Sequence, residues 1–185
     1  MREICDETGA LLIFDEIQTG IGRTGKLFAH EHFNVTPDIM TLAKALANGL
    51  PIGAMLATEA VASAFGPGAH ASTFGGTPVV TAAALANLET LVGEGIVGHC
   101  AETGAYFREK LLWLKERHDT VTDVRGMGLL LGLVLSDDGA PLVMGCLEKG
   151  FLVNCIQGNI LRFAPPLIIT REEIDALIAC LDEML

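Results

Sequence analysis

Basic residues are scarce in this chain: 12 Lys+Arg stand against 23 Asp+Glu over 185 residues, a formal net charge of −11. With no Lys/Arg cluster to neutralise phosphates, a nucleic-acid or anionic-membrane partner is disfavoured. Long apolar runs are lacking too. The longest, Leu129 to Leu135, is far too short to span a bilayer, and no basic segment leading into an apolar one opens the chain. The five cysteines (Cys5, Cys100, Cys146, Cys155, Cys180) are odd in number and never spaced C-x-x-C. That usage reads as a reducing, cytoplasmic compartment with Cys serving as a small hydrophobe. Repeats and low-complexity linkers are absent. What is present is apolar: half of the residues, without a triplet glycine repeat, which excludes a disordered or collagen-like chain. At this length roughly 70% of the unfolded surface can be buried, enough for one domain or somewhat more.

The opening Met1–Thr8 reads as a helix stopped by Gly9. The continuous apolar run Ala10–Phe14, ending in Asp15-Glu16, is the pattern of a strand buried on both faces, as in a parallel sheet. Further short runs are Asp38–Leu42 and Ile52–Thr58, with Lys44 and the turn Asn48-Gly49-Leu50-Pro51 between them. Gly66–Thr77 is a loop by composition, and Pro78 suits the first turn of a helix over Val79–Val92. A long helix, Ile96–His118, carries Ile96, Cys100, Gly104, Phe107, Leu111 and Leu114 in steps of 4, 4, 3, 4 and 3, which is one helical face. Beyond it come strands Val121–Val124 and Gly128–Leu135, a helix Ala140–Lys149, and strands Phe151–Cys155 and Asn159–Ala164. Thr170-x-x-Glu173 forms a capping box for a last helix with Ile174, Leu177, Ile178, Leu181 and Leu185 on one face. A buried strand standing first, with no neighbour before it, predicts a chain that begins partway through a larger α/β fold.

Several strings invite a chemical reading. Gly20-x-Gly22-x-x-Gly25 matches the dinucleotide fingerprint, but Asp15–Thr19 separate it from the strand and no helix opens at its end. As a P-loop it fails at Leu27, where Ser or Thr must hold Mg²⁺. A tight loop is the better account. His30-x-His32 has no third ligand at metal spacing. Asp15, at the mouth of a parallel sheet, suits a cation or ligand, or else a simple turn. Lys44 sits in Thr41-Leu-Ala-Lys-Ala-Leu-Ala. It either snorkels or, desolvated, becomes a nucleophile suited to a Schiff base. Arg162, flanked by apolar residues, wants a carboxylate fork from a neighbour or a substrate. Ser72-Thr73-Phe74-Gly75-Gly76 offers hydroxyls and accessible amides before a helix. Jointly these residues spell the chemistry of pyridoxal phosphate acting on an amino acid.

The strings Leu12-Ile-Phe-Asp-Glu-Ile-Gln-Thr-Gly-Ile-Gly-Arg-Thr-Gly25, Thr36-Pro-Asp-Ile-Met-Thr-Leu-Ala-Lys-Ala-Leu46, Gly49-Leu-Pro-Ile-Gly53 and Ser72-Thr-Phe-Gly-Gly76 resemble the class III, fold-type-I pyridoxal-phosphate aminotransferases. Phe151-Leu-Val-Asn154 and Leu161-Arg-Phe-Ala-Pro-Pro-Leu167 look most like the acetylornithine branch of that class. The chain departs from the family at Ala71 and Thr77, where Gly and Asn are usual.

The resemblance implies an α/β fold. Residues 1–95 would end the large cofactor domain, 96–119 form a connecting helix, and 120–185 form the C-terminal small domain, together the C-terminal half of the family fold. It implies pyridoxal phosphate bound with Asp15 on the ring nitrogen, Ile17 on the ring, Gln18 near the phenolic oxygen, and Lys44 as the Schiff-base residue. Ser72 and Thr73 would reach the cofactor phosphate of the partner subunit in a homodimer, and Arg162 would hold the substrate carboxylate. The reaction implied moves the amino group of N-acetylornithine, or a related ω-amino donor, to 2-oxoglutarate in arginine biosynthesis. Ornithine, succinylornithine and 4-aminobutyrate are the alternative donors, and a non-catalytic remnant is the alternative of another class. For the chain by itself, the strand Leu11–Phe14 and the face of the Ile96–Leu114 helix are both expected to lie exposed.

Overall fold

The computed structural model describes all of residues 1–185. It divides into two compact units, Met1–Ile96 and Val97–Leu185. No single helix is long and apolar enough to cross a membrane.

The first unit opens with α1 (Arg2–Thr8), which ends at Gly9 with φ 72°, the left-handed cap that glycine supplies without a Cβ penalty. Three short strands follow: β1 (Ile13–Asp15), β2 (Ile39–Leu42) and β3 (Ala54–Ala57). They form a sheet in that order, β1 parallel to β2 and β3 antiparallel to it. The run Ala10–Phe14 is therefore not doubly buried. Leu12 is 6% exposed, but Leu11 and Ile13, which strand alternation puts on the opposite face, are 54% and 57% exposed, because nothing packs on that face. A one-turn helix α2 (Glu59–Ala62) and an exposed segment lead to α3 (Pro78–Gly93), which starts on its proline.

Asp38 ties this unit's start together. Its Oδ2 accepts from the Leu12 amide at 2.7 Å and from the Arg2 guanidinium at 2.9 Å. The amide first, then Arg2, holds its carboxyl below the usual carboxylate range. A lowered folded pKa contributes stability that is complete above the ordinary carboxylate pKa of about 4 and is lost as pH falls through the folded value. Asp38→Asn is thus expected to unfold at lower urea than wild type near about pH 7, with the gap closing towards about pH 3. A gap independent of pH would contradict the linkage.

The second unit contains α4 (Ile96–Arg117, all but its first residue), β4 (Val121–Met127), β5 (Leu130–Leu135), α5 (Ala140–Glu148), β6 (Asn154–Ile156), β7 (Ile160–Phe163) and α6 (Arg171–Asp182). Its four strands pair antiparallel throughout, in the order β4-β5-β7-β6. The capping box opens α6: Thr170 Oγ1 accepts from the Glu173 amide and the Glu173 carboxylate accepts from the Thr170 amide.

The α4 face overturns the expectation of exposure. Cys100, Phe107, Leu111 and Leu114 are at most 1% exposed, and the rings of Phe107 and Phe163 stand 5.2 Å apart. Each of the Phe and Leu side chains contributes roughly 1.5–3 kcal/mol on burial. The helix finds its apolar partner inside its own unit. Alongside it, Arg117 and His118 hold Asp182 of α6 and Lys110 pairs with Asp175. All five cysteines are free thiols. Burial, then the neighbouring Cys180, pushes the Cys146 thiol up to about 11, so it stays protonated and packs as a small hydrophobe.

Candidate active site

The carboxyl ends of parallel strands are where open α/β sheets place their ligands, since that edge leaves backbone and loops free to face one. Here β1 and β2 are the only parallel pair. Asp15 is the last residue of β1, in register with Thr41 of β2. Its Oδ1 accepts from the Ile17 amide at 3.0 Å and from the Thr41 hydroxyl at 3.1 Å. Both bonds fall on one oxygen, and Oδ2 keeps its lone pairs for a further donor. Asp15 is exposed rather than buried, so these two bonds, not an ion pair, orient it. Ile17 is half-buried beside it and Gln18 is exposed.

Lys44 follows Thr41 by three residues and so belongs to the same sheet edge. It opens a 3₁₀ turn, Lys44–Leu46, closed by the Leu46 amide on the Ala43 carbonyl at 2.9 Å. Its φ is +47°, in the left-handed region that costs an L-residue roughly 1–2 kcal/mol. Such strain persists only where neighbours hold it, and it gathers at functional positions. The apolar sequence around Lys44 does not desolvate it: Leu42, Leu46 and Ala47 turn into the core and leave Lys44 exposed.

Glu16 is a residue that sequence reading passed over. It is 3% exposed, and its carboxylate accepts from the Thr19 hydroxyl and from the amides of Ala29 and His30. It thereby ties Thr19, just before the Gly20–Gly25 loop, to the turn at Ala29–His30 that follows it. Gly20 lies so near that a Cβ would stand 2.8 Å from the Glu16 carbonyl oxygen. The loop is a packed turn, with Ile21 1% exposed. His32 Nε2 lies 3.1 Å from the Thr24 carbonyl oxygen, and His30 stacks on Phe28. Nothing in the sequence marked Glu16, because its partners are backbone amides brought near only by the fold.

Ser72 and Thr73 lie in the exposed segment before α3. Ser72 Oγ accepts from the Gly75 amide at 2.9 Å, a local turn, and no hydrogen bond joins either residue to Asp15 or Lys44.

In the second unit Arg162 lies on β7, in register with Gly132 and Asn154. Strand alternation sends its neighbours Leu161 and Phe163 into the core and turns Arg162, half-buried, to the opposite face. The apolar flanks seen in the sequence are thus not its surroundings on that face. It does border an apolar cleft of about 670 Å³ with Phe151, Leu152, Pro166, Ile168 and Leu177.

An exposed aspartate and a strained lysine thus share one sheet edge of an α/β protein. The aminotransferase class-III family model matches residues 1–185, and the chain belongs to that family. It is 50% identical, over its whole length and 47% of the relative's, to an acetylornithine aminotransferase of Caldanaerobacter subterraneus. Among solved structures, an acetylornithine aminotransferase from Elizabethkingia anophelis is 38% identical with a TM-score of 0.91, covering 98% of this chain and 47% of that one. The ornithine δ-aminotransferase of Plasmodium falciparum is 32% identical with a TM-score of 0.92, at 98% and 47% coverage. The chain spans about half the length of the curated relatives it matches.

Proposed function

We propose that this chain serves the transfer of an amino group from N-acetylornithine, or a related ω-amino donor, to 2-oxoglutarate, with pyridoxal phosphate held at the β1–β2 edge. The carrying observation is the placement of Asp15 and the strained Lys44 at the carboxyl ends of the one parallel pair. The donor set fits the cofactor: an acceptor oxygen for a ring N–H, and an exposed amine for a carbonyl. Bound there, pyridoxal phosphate supplies an electron sink for the carbanion formed at the donor's reacting carbon.

Asp15 would accept from the ring nitrogen and keep it protonated. Ile17 would pack on the ring and Gln18 would lie near its phenolic oxygen. Lys44 Nζ takes the proton from the donor's reacting carbon and later returns one, acting as base and then acid. Ser72 and Thr73 would reach the cofactor phosphate of the other subunit in a homodimer. Arg162 holds the substrate carboxylate through its planar fork. The acetylornithine relatives support that donor, and the arginine-biosynthesis and cytoplasmic readings go with it. The ornithine aminotransferase neighbours keep ornithine as the second donor to assay.

Borohydride reduction of the pyridoxal-phosphate-treated protein, followed by peptide mapping, tests the reading. The label is expected on Lys44; a label confined to Lys26, Lys110, Lys115 or Lys149 refutes it. Arg162→Lys is expected to raise KM for the amino donor about tenfold or more, since a charge-assisted hydrogen bond of roughly 1.5–3 kcal/mol is lost, with the bound-cofactor spectrum unchanged. An unaltered KM returns Arg162 to a structural part.

A further inference from the structure

We propose that Asn87 is a positioning residue for Lys44, holding the lysine's turn in its left-handed geometry from α3. This rests on the reading of Lys44 as the reactive amine. The Asn87 side-chain amide nitrogen donates to two successive carbonyls of the turn, Ala45 at 2.7 Å and Leu46 at 3.2 Å. An NH₂ group has two hydrogens, one for each acceptor. Both partners are carbonyls, so only the nitrogen can face them, and the orientation of the amide follows from its partners.

The turn needs such a brace. It is three residues long, with one internal hydrogen bond onto Ala43. It stands in a run of left-handed backbone, Lys44 at φ +47° and Asn48 at +46°, that is costly for residues with a Cβ, before Gly49 at +115°, where glycine takes it freely. A short 3₁₀ turn leaves its last carbonyls without helical partners, and Asn87 satisfies two of them. Leu46 and Ala47 anchor the turn by burial, but apolar contact is non-directional and does not set a dihedral. A two-pronged hydrogen bond from a helix does. The position is also anomalous for its helix. Asn is a weak helix former, and in Pro78–Gly93 it stands among Ala and Leu. A local choice against propensity is expected where the residue serves something beyond the helix.

The test compares the wild-type protein with Asn87→Asp, which keeps the shape but has no donor hydrogens, and Asn87→Leu, which keeps apolar packing. Amide hydrogen exchange of Leu46, whose N–H closes the turn, is expected to speed at least tenfold in both. Met40, buried in the sheet, reports that the unit remains folded and should not change. With pyridoxal phosphate and borohydride, the ratio of label on Lys44 to label on Lys110 is expected to fall at least fivefold. A merely structural asparagine would leave that ratio unmoved while Met40 stays protected. Leu46 exchange and Lys44 labelling both indifferent to the two variants would overturn the role of Asn87 alone. A wild-type label on another lysine would overturn the reading of Lys44 itself, and with it the purpose given to Asn87.

Discussion

Lys44→Ala is expected to abolish amino-group transfer without unfolding the protein. Proton transfer by a positioned base is worth about 10²–10⁴-fold, and loss of the covalent attachment adds to it. Turnover of 2-oxoglutarate with an amino donor should fall at least that far. Lys44 is exposed, so its removal opens no cavity. Its backbone makes a second, opposite expectation. At φ +47° an alanine retains the strain of the lysine, whereas Lys44→Gly relieves it. The glycine variant should therefore unfold at higher denaturant than the alanine variant, by about 0.5–1 kcal/mol, although both are inactive. That pairing of gained stability with lost activity is the signature of strain kept for function. An alanine variant within tenfold of wild-type turnover would remove Lys44 from the chemistry.

Gly104→Val should be strongly destabilising to the second unit. A Cβ at Gly104 would stand 2.4–2.5 Å from the carbonyl carbon, Cα and oxygen of Gly128. These are backbone atoms, so no rotamer change makes room. Helix propensity pulls the other way, since glycine in a helix interior costs roughly 0.5–1 kcal/mol against alanine. The clash wins, because separating α4 from the β4–β5 turn also unpacks Phe107 and Leu111, both at most 1% exposed. Overpacking costs typically about 1–3 kcal/mol, and valine should exceed that. Gly104→Ala is expected to be destabilised as well, despite its better propensity. Urea unfolding followed through Trp113, the chain's single tryptophan and a residue of α4, reports the loss directly. A Gly104→Ala protein as stable as wild type would show that α4 shifts to absorb the methyl group.

Much of this architecture was legible in the sequence because it is set by local physics. The Gly9 cap, the Pro78 start and the Thr170–Glu173 box each depend on a few neighbouring residues, and all three stand in the structure. The spacing Cys100, Gly104, Phe107, Leu111, Leu114 marked one helical face, since 3.6 residues per turn is a property of the chain alone. The candidate chemistry was legible too, through residue types and the family's ordered strings around Asp15 and Lys44.

What a face packs against is not a local quantity, and there the sequence misled. The same periodicity serves a helix buried in its own unit or against another, and only the fold put the α4 face on β7 and α6. Apolar letters around Lys44 left it open between a snorkelling and a desolvated amine, and those around Arg162 marked a guanidinium in want of a carboxylate. A 3₁₀ turn and a strand's two-residue alternation instead send those neighbours inward and the charged groups outward. Glu16 and Asn87 carry no signal, because their acceptors and donors are backbone groups 13, 14, 41 and 42 residues away. The sequence by itself determined the elements, their caps and the chemical alphabet of the site. The tertiary structure alone decided the partners, since long-range hydrogen bonds and steric contacts such as Gly104 on Gly128 exist only once the chain has closed on itself.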